Sequence, residues 1–267
     1  MDLSVIIPSY KDPLLHKTID SLLENSELGD KIEVIPVLDG YWPDEPIRND
    51  DRVKIVHLGK NSGMREAINA GVRVAKGKYI MRTDEHCKFC PGYDRILTKD
   101  IRDHWIVTPR RYFLNPEGWG VMDIPPVDYM KLKIARVGDG KGGLMDKFCG
   151  VNWPSRTKRN AHKKIDQTMA MQGSCWIMKK SWWEKVIGEL QTEGYGSHYQ
   201  DSHEMQFKTW KAGGKLVVNK NAWYAHKHRK FPRSHGYGGE PARKGFRYAL
   251  KIWRDYYEKK VVPVWFK

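Results

Sequence analysis

The chain has 267 residues, 40% of them hydrophobic and 12% aromatic, which excludes a disordered or fibrous protein and allows one large domain with a sizeable core. Its formal net charge is +15, yet residues 1–50 hold eleven acidic residues against four basic ones, so the cationic excess lies in the rest of the chain and points to a polyanionic partner there. No apolar run approaches the roughly 18 residues of a membrane span, and Met1-Asp2 leads straight into a strand-like segment, so a cytoplasmic setting with free thiols is expected (host cytoplasm for a viral chain).

Leu3 to Pro8 is an apolar, β-branched run and reads as a buried strand. Leu14 to Leu23 carries Leu15, Ile19, Leu22 and Leu23 at helical spacing. Ile32 to Leu38 reads as a second strand ending at Asp39-Gly40, and Val53 to His57 as a third. Ser62 to Ala75 reads as a helix with a small-residue face at Ala67, Ile68, Ala70, Gly71 and Val74. Lys78 to Arg82 is a fourth strand, running into Thr83-Asp84-Glu85-His86. This alternation predicts an α/β fold with a mixed, mostly parallel sheet flanked by helices. Ligands of such sheets collect at the carboxyl ends of strands, where Tyr10, Asp39 and Asp84 stand.

Residues 109–175, with the basic stretch 154–164, look less regular and read as functional loops or as disordered segments. Trp176 to Ile187 reads as strand then helix, and Gln200 to Lys211 as a helix stopped by Gly213-Gly214. Lys215 to Val218 is a strand, and Gly238 to Lys259 a last helix. The domain reading is a catalytic unit over 1–230 and a basic, aromatic helical extension over 231–267, packed on that unit or binding acceptor.

Three constellations carry chemistry. Asp84-Glu85-His86 offers a carboxylate and an imidazole two residues apart, a pair suited to a borderline divalent ion such as Mn²⁺. His226 offers a third ligand that leaves positions open for two phosphate oxygens. Asp201 opens a helix, where it is also a good N-cap, and Glu204 three residues later completes a capping-box pattern. Cys87-Lys88-Phe89-Cys90 is a C-x-x-C pair, but no second pair follows at zinc-finger spacing.

The segments LSVIIPSY, VLDG, GKNSGMREAINAGVRVAKGKYIMRTDEHC and QDSHEMQFKTWKAGGKLVV, with the later AHKHR, resemble glycosyltransferases of the GT-A type, both family 2 and polypeptide N-acetylgalactosaminyltransferases. The resemblance covers about residues 3–100 and 170–230 and rests on the order and spacing of its motifs. It implies a GT-A fold, a UDP-sugar donor and a divalent metal, Mn²⁺ before Mg²⁺. It implies that Pro8, Ser9 and Tyr10 flank the nucleoside, that Asp39 bonds the uracil, and that Gly63 and Arg65 lie against the nucleotide. By the same resemblance Asp84, His86 and His226 hold the metal, Gly173 and Ser174 line the sugar pocket, Asp201 is the acid near the reacting sugar, and Arg229 contacts the diphosphate. Tyr199-Gln200-Asp201-Ser202 stands where the peptide-modifying enzymes have Gly-Gly-Glu-Asn, which leaves sugar and acceptor open.

Two basic regions point to a polyanionic acceptor. The first supplies Arg156, Lys158, Arg159, Lys163 and Lys164, with Trp176 and Arg233 as further acceptor contacts. The second, 226–260, has eleven Lys or Arg against three acids, interleaved with aromatics. The leading expectation is a hydroxymethylpyrimidine in DNA, as some bacteriophages make. The alternatives are a polysaccharide, lipid-linked or peptide acceptor, with Val261 to Phe266 touching a membrane surface, or a non-catalytic binding protein.

Overall fold

The structure, a computed structural model, describes residues 1–138, 143–228 and 240–266. In chain order the first half holds β1 (Leu3–Ser9), α1 (Leu15–Glu24), β2 (Ile32–Asp39), β3 (Val56–Leu58), α2 (Met64–Val74), β4 (Tyr79–Thr83), β5 (Cys87–Phe89), α3 (Tyr93–Lys99), β6 (Trp105–Asn115) and β7 (Gly120–Val121). The second half holds β8 (Met130–Gly138), β9 (Leu144–Asn152), α4 (Pro154–Arg159), β10 (Ile165–Gln167), β11 (Cys175–Lys179) and α5 (Lys180–Trp182), which continues as a π-helical turn to Ile187. It closes with α6 (Asp201–Lys211), β12 (Lys215–His226), α7 (Glu240–Tyr256), a π-helical turn to Val261, and α8 (Val262–Trp265).

The main sheet runs β10-β12-β6-β11-β4-β1-β2-β3, with β5 added to β12 and β7 to β6. β1 is parallel to β2 and β4, β2 to β3, and β6 to β12; β11 is antiparallel to both β4 and β6. The fold is therefore the expected mixed, mostly parallel sheet. Period-two alternation puts Leu3, Val5 and Ile7 in one core with Leu15, Ile19 and Leu22 of α1, while Ile6 joins the opposite core with Ala67 and Ile68 of α2. Gly71 sets how closely α2 approaches: a Cβ there would sit 2.4 Å from Ile6 Cγ2.

A third core lies off the sheet. The antiparallel hairpin β8–β9 packs Leu132 and Phe148 against Phe207 of α6 and against Ala249 and Trp253 of α7. Phe207 and Trp253 stack with ring centroids 5.1 Å apart, and Tyr257 donates to Leu132 O at 2.9 Å. The irregular segment expected over 109–175 is thus largely ordered, because Met130, Leu132 and Ile134 alternate with Lys131 and Lys133 in a strand that pairs locally. The aromatics of α7 face inward: Phe246 is buried against Tyr199, and Tyr248 meets Tyr195 edge-on. Tyr248, Trp253 and Tyr256 keep part of their surface exposed.

Among the described residues no helix is long and apolar enough to cross a membrane. Val264 and Phe266 are exposed at the end of α8, and Trp153 lies close to the rings of Trp265 and Phe266. The four cysteines are free, and Cys87 and Cys90 are buried in the core, where Cys90 Sγ accepts the Trp223 N–H at 3.2 Å.

Candidate active site

β4 and β12 end on the same edge of the sheet because both run parallel to the same set of strands through β6. After β4 the chain turns through Asp84-Glu85-His86 and comes back as β5 along β12, with Cys87 opposite His226. Lys227 N donates to His86 O at 3.2 Å and closes that register. The pairing fixes His86 beside His226, 140 residues later. Their Nε2 atoms are 3.1 Å apart, and Asp84 Oδ2 lies 3.0 Å from His226 Nε2 and 3.7 Å from His86 Nε2. The expected set Asp84, His86 and His226 is brought together at one point.

The donors fit a divalent cation. His86 Nδ1 faces Asp12 Oδ2 at 2.9 Å, so its proton belongs on Nδ1 and the Nε2 lone pair faces the cluster. Burial leads in pushing His226 down to about 4, outweighing the pull of Asp84, so it is a neutral imidazole near pH 7. Burial works to raise Asp84, but Arg82 and the two histidines overcome it and hold the carboxyl well below the usual range. Arg82 Nη2 donates to Asp84 Oδ1 at 2.5 Å, leaving Oδ2 toward the histidines, and a second guanidinium N–H reaches Gly173 O. Two imidazole nitrogens and a carboxylate oxygen this close together form a donor set suited to a borderline divalent ion. Asp12 and Arg82 were not singled out in the sequence; Asp12 follows β1 at the same sheet edge, which is the one signal it gave.

Beside this cluster is a cavity of 150 Å³ lined by Arg82, Asp84 and Gly173 on one side and by Gln200, Asp201, His203 and Phe246 on another. Asp201 is 9% exposed, and among the described residues its carboxylate makes no hydrogen bond, although it feels the Arg82 charge. It does not cap α6. Gln200, in a left-handed conformation at φ 62°, is the N-cap residue and provides no side-chain cap. Glu204 is no capping-box partner either, for its carboxylate bonds Arg65 at 2.5 Å and Lys208 at 2.7 Å.

Several residues assigned from the resemblance have partners within the chain. Arg65 is fully buried and cannot counter a ligand's charge: it grips Tyr199 O at 2.8 and 3.0 Å, Gln191 O at 2.9 Å and Glu204, and lies over the Tyr195 ring. It therefore holds the 191–204 segment that walls the cavity. Asp39 accepts from Ser62 N at 2.6 Å, Gly63 N at 2.8 Å and Asn61 Nδ2 at 3.1 Å, so it builds the 61–63 turn. Gly63 lies at φ 91°, and a Cβ there would stand 2.6 Å from Ser197 O, so the 197 segment passes close against it.

Pro8 and Ser9 are buried within β1. The Ser9 hydroxyl bonds Tyr41, while Tyr10 keeps a partly open ring edge-on to Tyr41. Tyr10 N donates to Glu85 at 2.9 Å; burial, then the Asp84 charge, pushes that carboxyl up to about 8. A second cavity, of 470 Å³, opens next to this turn between Lys11–His16 and Tyr41–Glu45. Ser174 stands behind Asp84, accepting Asp84 N at its carbonyl (2.9 Å) and bonding Tyr224 through its hydroxyl (2.7 Å).

Of the acceptor residues, Trp176 has no exposed surface and stacks on Trp183, so it cannot touch an acceptor. Arg156 is held among the rings of Tyr129, Trp153 and Trp265 and donates to Gln167 O, a packing role. Lys158, Arg159, Lys163 and Lys164 are exposed around the end of α4, where Lys220 Nζ ties the segment down through Asn160 O and Ala161 O. Arg229 and Arg233 lie outside the described residues.

Comparison with known proteins agrees with the fold. The sequence profile of Glycosyl transferase family 2 matches residues 4–187. The chain is 24% identical over 96% of its length to mouse (Mus musculus) polypeptide N-acetylgalactosaminyltransferase 4, covering 44% of that protein. A Bacillus subtilis protein described as uncharacterized glycosyltransferase EpsJ is 38% identical over 85 residues, 29% of this chain and 24% of that one. The GalNAc-T7 structure with UDP, GalNAc and Mn²⁺ superposes with TM-score 0.73 at 19% identity, over 98% of this chain and 50% of that one. S. aureus TarS residues 1–349 with UDP-GlcNAc gives TM-score 0.55 at 16% identity, over 87% of this chain and 60% of that one. The fold is GT-A. The chain spans less than half the length of the animal transferases it matches.

Proposed function

The chain belongs to glycosyl transferase family 2, and on that premise we propose that it is a metal-dependent glycosyltransferase moving a sugar from a UDP-sugar to a hydroxyl acceptor. The observation that carries this reading is the convergence of Asp84 Oδ2, His86 Nε2 and His226 Nε2 beside a cavity holding the carboxylate of Asp201.

Mn²⁺, with Mg²⁺ as the alternative, would be held by Asp84, His86 and His226, and when bound would supply positive charge to the diphosphate as it leaves. Asp12 fixes the His86 ring so that Nε2 is presented. Arg82 fixes Asp84 through one oxygen and frees the other. Asp201 stands across the same cavity. In an inverting reaction it would take the acceptor hydroxyl's proton as the new bond forms; in a retaining one it would only orient the sugar. The anomeric proton in the product's NMR spectrum distinguishes the two courses.

For the acceptor we favour a polyanion, with a hydroxymethylpyrimidine of DNA as the first case to test. The exposed side chains of Lys158, Arg159, Lys163 and Lys164 support it. They adjoin the start of β10, where Ile165 pairs with Asn219. Along the partner strand Pro109 to Phe113 separates that point from His226, about 13 Å at ~3.3 Å per residue.

The test is UDP release and sugar transfer with Mn²⁺, a panel of UDP-sugars, and hydroxymethylated DNA present or absent. Transfer to that DNA, lost in Asp84→Ala, supports both donor and acceptor. UDP release without DNA transfer keeps the glycosyltransferase and removes DNA. No UDP-sugar binding or turnover sinks the reading.

A further inference from the structure

Two residues that line the cavity at the start of α6 each carry a buried polar atom that nothing so far described uses. Gln200 is 7% exposed, and its amide orientation is set by Nε2 donating to Phe148 O at 3.3 Å. That leaves Oε1 buried and, among the described residues, without a hydrogen-bond partner. His203 Nδ1 is buried and unpartnered in the same way. Both residues line the cavity with Arg82, Asp84, Gly173 and Asp201. A buried polar atom left unpaired is costly, so two on residues that wall one cavity point to partners that come within reach when a ligand fills it.

The backbone points the same way. Gln200 sits at φ 62°, one of three non-glycine residues with positive φ among the described residues. Such a conformation is unfavourable for glutamine and persists where the surroundings impose it, commonly at ligand sites.

We infer that Gln200 and His203 are specificity-determining residues of this cavity, and that the sugar they select is a neutral pyranose with free neighbouring hydroxyls. The inference rests on the donor reading above. Gln200 Oε1 accepts a hydroxyl or amide hydrogen, and Asp201 accepts another. His203 stays neutral, because burial first and then the charges of Lys147 and Arg65 push it down to about 3. A neutral imidazole has one donor and one acceptor nitrogen, which suits a hydroxyl in either sense. The Phe246 ring offers an apolar wall for the sugar's C–H face.

A carboxylate on the sugar fits poorly. It would meet Asp201 and the lone pairs of Gln200 Oε1. Among the described residues the nearby cations have partners: Arg82 bonds Asp84 and Gly173 O, Arg65 bonds Glu204 and Tyr199 O, and Lys147 lies over the Phe246 ring.

The experiment is calorimetric binding with Mn²⁺ of UDP, UDP-glucose, UDP-galactose, their N-acetylhexosamine counterparts and UDP-glucuronate. It uses the wild type, Gln200→Gly and His203→Phe. Glycine accepts the left-handed backbone and removes only the amide; phenylalanine keeps a ring of similar size. The readout is the ratio of Kd for the best UDP-sugar to Kd for UDP. That ratio should rise about tenfold in each variant, the scale of one buried hydrogen bond, and UDP-glucuronate should bind the wild type at least tenfold more weakly than the best neutral sugar. An unchanged ratio in every variant that folds overturns the inference while the glycosyltransferase reading stands. So does equal binding of UDP-glucuronate by the wild type, which needs no variant. A wild type that binds no UDP at all defeats that reading, and the inference with it.

Discussion

His86 and His226, 140 residues apart in the chain, present their Nε2 atoms to each other at 3.1 Å, and Asp12 holds the far nitrogen of His86 at 2.9 Å. The carboxylate behind an imidazole ligand sets its tautomer and strengthens it as a donor. Asp12→Asn should therefore weaken Mn²⁺ binding by roughly tenfold to a hundredfold with the fold intact. Manganese titration by calorimetry, with circular dichroism as control, measures this. Wild-type affinity in the variant would show that Asp12 does not set the ring.

Arg65 and Glu204 form a buried ion pair, 0% and 1% exposed. Removing one partner leaves the other charged in the interior, so Arg65→Met should cost about 3–5 kcal/mol. Urea unfolding midpoints read the loss. The double change to Met at Arg65 and Glu204 should be less destabilising than the single one, since no lone charge remains, although Lys208 then loses its Glu204 partner as well.

Gly63 has φ 91° and ψ 168°, a region open essentially to glycine alone. Gly63→Ala should cost about 1–3 kcal/mol in backbone strain and push Ser197 away from α2. A thermal melt follows the first effect and UDP-sugar affinity the second; a variant with wild-type values in both would show that the 61–63 turn and the 197 segment yield freely.

His203 gives a pH signature. Its folded-state value is depressed to about 3 from 6.5, by burial and then by Lys147 and Arg65. Between those values the unfolded chain binds a proton that the native state refuses, so its contribution is intact above about 6.5 and is lost as pH falls toward 3. His203→Phe should flatten the decline in stability between pH 6.5 and 4, measured by urea unfolding at intervals across that range. An equally steep decline would place the imidazole in a wetter setting.

Alanine at Lys158, Arg159, Lys163 and Lys164 together should weaken binding to duplex DNA and reduce the slope of log affinity against log salt by up to about 4. Fluorescence anisotropy across a salt series measures both. Unchanged slopes would remove this segment from any polyanion contact.

The sequence shows the strands and helices from β1 to β4 because their hydrophobic periods are strong and local, but not the short β5 or α3, and it shows Asp84, His86 and His226 because the motifs around them are ordered along the chain. It shows neither Asp12 nor Arg82, whose roles depend on which side chains meet across strand ends. Arg65 reads as a ligand-facing cation because its motif lies on a helix start; only the packing of the 191–204 segment turns it inward. Trp176 errs in the same direction, since a tryptophan in a central strand and one at a surface share the same letter. The β8–β9 hairpin was passed over because its flanks are rich in glycine, proline and charge.

Gly245 of α7 lies so near Tyr195 that a Cβ would stand 2.3 Å from Tyr195 O, and Phe246 beside it lines the cavity. The family-2 span ends at residue 187, so Asp201, His226 and this helix all leave the ribosome after it. Domains fold largely in the order in which they are made. A nascent chain that has completed the family-2 span still lacks β12, the strand between β10 and β6, and with it His226 of the Asp84, His86 and His226 cluster. The cluster is therefore complete only once β12 has been made, and the Phe246 wall of the cavity only once α7 has followed it.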